Sequence, residues 1–233
     1  MAPSIPDFPY AEVRARCTSR MHAARSLAQA DIYTLDWEGR PAVLKDFSLR
    51  PWWVRRLWAR PVAGREIRAL RHMAGIRGVP MVFGTAGPDA FIMELMDARR
   101  LPKIEDAPPP AAYWADAKRI VAEMHERGVA HGDLRRKNLM IDPDGNAVLI
   151  DFATAMRRRE GWAAPFFNFL YRRCRRIDRI TLARIKGSYG DDLLDDEDRA
   201  LIAGQPWYLK AGRWVKKNIY RWRKPRTWRK LWK

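Results

Sequence analysis

One run of side chains restricts this chain more than any bulk property. It is His131-Gly132-Asp133-Leu134-Arg135-Arg136-Lys137-Asn138, followed by Val148-Leu149-Ile150-Asp151-Phe152-Ala153. An acid is followed five residues on by an amide and eighteen residues on by a second acid. Between them, Asp142-Pro143-Asp144-Gly145-Asn146 is turn-forming and is flanked by the apolar runs Leu139-Met140-Ile141 and Ala147 to Ile150. The pattern predicts a short β-hairpin that holds Asn138 and Asp151 near each other, with Asp133 in the loop before it.

These residue types suit phosphate chemistry. A loop carboxylate such as Asp133 can orient a substrate hydroxyl, and Asn138 and Asp151 offer the oxygen ligands that Mg²⁺ on ATP phosphates takes. Upstream, Ala42-Val43-Leu44-Lys45 has the pattern of a strand carrying a phosphate-binding lysine. Glu66 comes twenty-one residues after Lys45, within the helix-forming stretch Gly64 to Leu70. Lys45 and Glu66 can form the ion pair that aims the lysine at the phosphates.

On these residues the chain resembles the protein-kinase-like superfamily, from about Ile32 to Asp151, roughly half its length. The His-Gly-Asp form, in place of His-Arg-Asp, is more similar to that of the RIO-type, Bud32-type, small-molecule and lipopolysaccharide-kinase branches than to that of typical signalling kinases. The basic, Trp-rich flanks most resemble the bacterial lipopolysaccharide core (Kdo/heptose) kinases. The resemblance implies an α+β, two-lobed fold with a small antiparallel-sheet N-lobe and a trimmed, mainly helical C-lobe. Its expected divisions are an arm over 1–25, the N-lobe over 26–97, the C-lobe over 98–204 and a basic Trp-rich tail over 205–233.

The same resemblance implies site roles. Asp133 and Arg135 are the catalytic pair, with Arg135 placed to contact the transferred phosphate. Lys45, Glu66, Asn138 and Asp151 hold the nucleotide, and Asn138 and Asp151 hold Mg²⁺. Glu94 and Met96 fall where a hinge hydrogen-bonds adenine through its backbone. Asp178 corresponds to the acid that braces the catalytic loop, and His131 braces that loop's backbone. One departure stands out: Ser26-Leu27-Ala28-Gln29-Ala30-Asp31, where a glycine-rich loop is expected, has no glycine.

Smaller signals fill in the rest. Ile32 to Trp37 and Pro41 to Phe47 read as a hairpin around Glu38-Gly39-Arg40, and Val79 to Phe83 and Ala90 to Leu95 as two further strands. Ser48 to Arg60 reads as a basic-aromatic insertion. Ala111 to Arg127 reads as an amphipathic helix stopped by Gly128, with Tyr113, Ile120, Val121 and Met124 on its apolar side. Ile177 to Ile185 reads as a helix, and Asp191 to Arg199 as an acidic helix start.

Composition bounds the partners. Net charge is +18 over 233 residues, which calls for an anionic partner. The tail from Gln205 to Lys233 has eleven Lys or Arg, five Trp and no acid. Trp with Lys and Arg suits a lipid headgroup boundary; aromatic-basic interleaving also stacks nucleic-acid bases. The expectation is a peripheral membrane surface and an anionic lipid or lipopolysaccharide-type substrate, with nucleic acid as the alternative.

Two cysteines, Cys17 and Cys174, make neither a disulfide framework nor a metal set. His22, His72 and His125 have no metal spacing. Met1 to Tyr10 lacks the basic-then-apolar order of a signal peptide, and no apolar run nears the ~18 residues of a spanning helix. With ATP use, these features give a cytoplasmic expectation. The function expected is an ATP-dependent phosphotransferase acting on a sugar hydroxyl of a lipid-linked saccharide at the inner membrane face. Its rivals are a RIO-like serine/threonine protein kinase and a membrane- or RNA-binding pseudokinase.

Overall fold

The computed structural model describes residues 5–24 and 26–206. Alternation of apolar residues builds the first half. Strands β1 (Asp7–Phe8), β2 (Cys17–His22), β3 (Asp31–Trp37), β4 (Arg40–Asp46), β5 (Val82–Ala86) and β6 (Ala90–Glu94) form one sheet in the order β1-β5-β6-β4-β3-β2. Pairing is antiparallel except between β1 and β5. The sheet's alternation separates two cores. Ala42, Leu44 and Ile92 pack with Val13 of helix α1 (Tyr10–Ala15) on one face. Val43, Phe91 and Met93 join the larger core on the other. Lys45 follows Val43 by two residues, so it points to the larger core's side.

The expected arm is thus part of the lobe where it is described: residues 7–8 and 17–22 are sheet strands, and Val13 is buried. The β5 strand lies three residues later than its apolar pattern predicts. Gly84 is the reason. It is not a turn residue; the Phe8 ring packs against it, and a Cβ there would stand 2.9 Å from the Pro6 carbonyl oxygen.

The basic-aromatic segment is helical rather than an irregular insertion. Helix α2 (Trp52–Val54) passes through a π-turn at Arg55–Ala59 into α3 (Arg60–His72). Pro61 lacks the N–H that a continuous α-helix needs there, and its ring opposes the normal turn. The widened turn bonds Arg60 N–H to the Arg55 carbonyl. It stacks Arg55 over Arg60, and both reach Asp89, Arg55 Nη1 at 2.8 Å and Arg60 Nε at 2.8 Å. The exposed face carries Leu49, Trp52, Trp53, Leu57 and Trp58.

The second half is mainly helical. Two-residue β7 (Arg99–Arg100) precedes α4 (Ala111–Glu126), which buries Tyr113, Ile120, Val121 and Met124 and ends before Gly128 at φ +74°. Strand β8 (Val129–Ala130) leads into the loop that carries Asp133. The predicted hairpin follows as β9 (Leu139–Ile141) and β10 (Ala147–Leu149), with Ala147 opposite Ile141 and Leu149 opposite Leu139. Strand β11 (Met156–Arg157) returns to pair with β8.

Helix α5 (Ala164–Gly187) is 24 residues long and starts well before the predicted Ile177. Pro165 sits in its first turn, where a missing N–H costs nothing. The acidic start is met at α6 (Asp196–Ala203), where Asp195 forms a capping box with Asp198. Among the described residues no helix is long and apolar enough to cross a membrane. Both cysteines are free, and burial raises both thiols. The tail beyond Pro206 lies outside the described residues.

Candidate active site

The N-lobe contributes an ion pair. Lys45 Nζ donates to Glu66 Oε1 at 2.6 Å. Glu66 is 3% exposed, so its charge is tolerable only when paired, and Lys45 is the partner that pairs it. The pair forms because Lys45 sits on the inner face of β4 and α3 packs its buried side, Ala63, Ile67 and Leu70, against that face.

The loop that carries Asp133 is fixed from below. Asp178 on α5 is fully buried, and its carboxylate accepts from His131 N–H at 2.7 Å and Gly132 N–H at 3.1 Å. His125 Nε2 lies 3.2 Å from the same carboxylate. The bracing contact expected of Asp178 is therefore made. His131 braces the loop as expected: its Nε2 meets the Ile150 carbonyl at 3.0 Å and its ring lies on Phe152 at 4.8 Å. Thr154 Oγ1 donates to the His131 carbonyl at 3.1 Å. Gly132 has φ +75°, and a Cβ there would stand 2.8 Å from the Thr154 carbonyl oxygen.

Asp133 is half-buried, and one of its carboxylate oxygens receives Arg135 Nε. Asn138 is buried; its Nδ2 donates to the Asp133 carbonyl at 3.0 Å, which leaves the amide oxygen for a cation. Asn138 O accepts from Ile150 N–H at 3.0 Å, so the hairpin brings Asn138 beside Asp151. Asp151 adopts φ +70°, a left-handed backbone uncommon for a residue with a Cβ. Such conformations gather at functional sites. An amide oxygen and a carboxylate fit a hard divalent cation that takes its other ligands from phosphates and water. Among the described residues, no cluster of three or more His, Cys, Asp or Glu could hold a metal by itself.

Glu94 and Met96 lie at the exit of β6, where the hinge was expected. The Glu94 carboxylate is occupied locally, accepting from Met81 N–H at 3.0 Å. Leu95 N–H is taken by the Pro41 carbonyl at 3.0 Å. Only backbone groups of this segment are then suited to a base.

Sequence reasoning missed two buried acids that shape the N-lobe. Asp31, closing the glycine-free loop, is fully buried and accepts from Arg20, Arg50 and the Ala24 N–H. Burial opposes its charge, but the Ala24 hydrogen bond and the two guanidiniums outweigh it and hold the carboxyl below its usual range. Asp89 is held low mainly by hydrogen bonds from Arg60, against its burial. An acid at the start of an apolar strand was the available signal in both.

Comparison with known proteins gives a family match over more than half of the chain. A family model described as RIO domain matches residues 48–181. That span holds Glu66, Asp133, Asn138, Asp151 and Asp178, and begins three residues after Lys45. A probable SapB synthase of Streptomyces coelicolor is 37% identical over 112 residues, 39% of this chain and 12% of that protein. The serine/threonine-protein kinase rio2 of Schizosaccharomyces pombe is 36% identical over 62 residues, 27% of this chain and 18% of that protein. A 3-deoxy-D-manno-octulosonic acid kinase of Xanthomonas campestris pv. campestris is 34% identical over 70 residues, 30% of this chain and 28% of that protein. The matched regions are thus a minor share of each of these relatives.

Proposed function

The chain belongs to the RIO-domain family, whose fold is protein-kinase-like, and from that premise we propose that it is an ATP-dependent phosphotransferase with an alcohol group as acceptor. The observation that carries this reading is the Lys45–Glu66 pair, formed at 2.6 Å in the lobe that faces a braced Asp133 loop. Lys45 meets the nucleotide phosphates, and Glu66 fixes its aim. The backbone of Glu94 to Met96 meets adenine. Mg²⁺ carried on ATP would be held by Asn138 and Asp151 and supplies charge neutralisation on the phosphates. Asp133 orients the acceptor hydroxyl and takes its proton. Arg135, held on the same carboxylate, offsets charge that develops on the moving phosphoryl group.

The acceptor we propose is a sugar hydroxyl of a lipid-linked saccharide, such as lipopolysaccharide core, met at the inner face of a membrane. Likeness to the 3-deoxy-D-manno-octulosonic acid kinases supports a sugar. The +18 charge, the basic Trp-rich tail and the exposed Trp52 and Trp58, 71% and 53% accessible, support an anionic surface. The likeness to rio2 favours a second reading, with a serine or threonine hydroxyl of a protein as acceptor.

Radiolabelled ATP offered to membrane glycolipid and to protein substrates, with Asp133→Asn as the blank, decides between them. Label is expected in the glycolipid. Asp133→Asn should fold and bind ATP normally yet lose about 10²–10⁴ of the transfer rate, the usual share of a positioned base. Label confined to protein moves the second reading to first place. Wild-type turnover by Asp133→Asn removes Asp133 from the chemistry.

A further inference from the structure

A cleft of about 860 Å³ opens between α3 and the segment after Asp151. Arg65 and Arg68 line it from α3, and Arg157, Arg158 and Arg159 from β11 and beyond; Glu160 is the sole acid on its walls. It shares no residue with the Lys45, Glu66, Asp133, Asn138 and Asp151 set. Four N-lobe arginines are matched by buried carboxylates: Arg20 and Arg50 by Asp31, Arg55 and Arg60 by Asp89. None of the five cleft arginines forms an ion pair among the described residues.

The side chains are nonetheless placed. Arg157 Nη1 lies 3.2 Å from His72 Nδ1, and the Arg159 guanidinium stands 3.9 Å over the Phe167 ring. Neither partner brings negative charge, since burial and the nearby Arg157 keep His72 below its ordinary value. Like charges gathered this closely repel, and a bound anion relieves that repulsion. Burial, then Arg68 and Arg159, push Arg157 below its ordinary value, which reports the same crowding. Three acids of the C-lobe are already engaged. Asp195, Glu197 and Asp198 are engaged by Lys118, Lys186 and Arg179, and residues 205–233 contain no acid.

We propose that this cleft binds a phosphate monoester or pyrophosphate group gripped by arginines of both lobes. A phosphate dianion carries three terminal oxygens and a second charge, so it can receive several guanidinium forks and offsets more positive charge than a carboxylate does. The cleft volume leaves room for whatever the phosphate is attached to. Arg65 adjoins Glu66, and β11 pairs with the strand that enters the catalytic loop, so the anion ties together the two halves of the nucleotide site. Anion and nucleotide therefore bind cooperatively, and reciprocally so. This coupling rests on the nucleotide reading above; the anion site itself does not.

Thermal-shift titration of the full chain with inorganic pyrophosphate, at constant ionic strength and without divalent cation, tests the site. A saturable rise in melting temperature is expected, and it should persist in Lys45→Met. Arg68→Gln with Arg157→Gln should weaken it by about a hundredfold, at roughly tenfold per charge-assisted contact. A control losing equal charge outside the cleft, Arg40→Gln with Arg56→Gln, should bind as wild type does. Without pyrophosphate at low salt, the cleft variant should melt no lower than wild type, because repulsion has been removed. Should it fail to fold, Arg158→Gln alone carries the test, with about a tenfold loss expected.

A shift that survives the cleft variants, disappears in Lys45→Met, or falls equally in the control overturns the site. Vesicles containing phosphatidic acid, a monoester headgroup, and vesicles containing phosphatidylglycerol, a diester, then identify the source. Competition by phosphatidic acid alone supports a lipid headgroup, and competition by neither supports a soluble phosphate. Equal competition by both would mean that charge alone is read and would overturn the monoester assignment.

Discussion

The loop that carries Asp133 and the loop that precedes Asp31 are built by opposite means. In the first, buried side chains fix the backbone: Asp178 takes the His131 and Gly132 N–H groups, Thr154 donates to the His131 carbonyl, and Asn138 holds the Asp133 carbonyl. In the second, Ser26 to Gln29 are exposed, and one internal bond joins Gln29 N–H to the Ser26 carbonyl at 3.1 Å. Its firm point is its end, where Asp31 is buried under Arg20 and Arg50. The difference follows from what each loop does in the proposed reaction. Positioning a base tolerates little error. Covering phosphates asks only for backbone N–H groups over small side chains.

The largest break in this comparison comes from Asp178→Ala. It strands two backbone donors and the His125 ring in a buried place. At about 1–3 kcal/mol for each unsatisfied group, the loss should be about 3–5 kcal/mol, partly offset where water enters. Chemical denaturation measures it. Transfer activity should fall with it, because the loop that holds Asp133 loses its floor. A loss under about 1 kcal/mol would mean that the catalytic loop is held by other contacts and is no more fixed than the nucleotide loop.

A smaller effect is expected from Gly132→Ala. A φ of +75° costs an alanine about 1–2 kcal/mol, and its Cβ would press on the Thr154 carbonyl. The expected loss is about 1–3 kcal/mol in thermal or denaturant unfolding. The backbone conformation is the reason that this position holds glycine. Unchanged stability in Gly132→Ala would show that the loop can flip this peptide, and that its bracing is looser than its hydrogen bonds imply.

How much could be read in advance tracks the same contrast. Asp133, Asn138, Asp151, Lys45 and Glu66 were legible because each is a polar group at a fixed spacing on an element whose apolar pattern is strong. The structure places Lys45 against Glu66, and Asn138 beside Asp151, as the spacing required. The hairpin over 139–149 and the helix over 111–126 were legible for the same reason. The π-turn before α3 was not, because Pro61 within a basic-aromatic run reads as a break rather than as a widened helix. Asp31 and Asp89 were missed because their partners, Arg20, Arg50, Arg55 and Arg60, come from other elements, and no local period links them. The five cleft arginines were passed over for a similar reason: Arg65 and Arg68 stand about ninety residues from Arg157 in the chain, and only the fold makes them one surface.

The smallest effect should come from giving the nucleotide loop the residue it lacks. None of residues 26–31 has a positive φ among the described residues, so Ala28→Gly gains no conformation that the present backbone uses. It does gain freedom in the unbound loop, worth about 0.5–1 kcal/mol for a glycine against an alanine. Ordering that loop over ATP then costs more, and affinity should fall about two- to fivefold. Calorimetric titration with ATP and Mg²⁺ measures this, with the melting temperature of the free protein nearly unchanged because Ala28 is exposed. Tighter binding by Ala28→Gly would carry the opposite meaning. It would show that the loop moves into left-handed backbone to reach the phosphates, so that its shape in the free protein is not the shape that binds. The contrast between a fixed catalytic loop and an adaptable nucleotide loop would then be larger than the free structure displays. An unchanged affinity would instead separate Ala28 from the phosphates, leaving Ser26 or Ala30 as the residues that approach them.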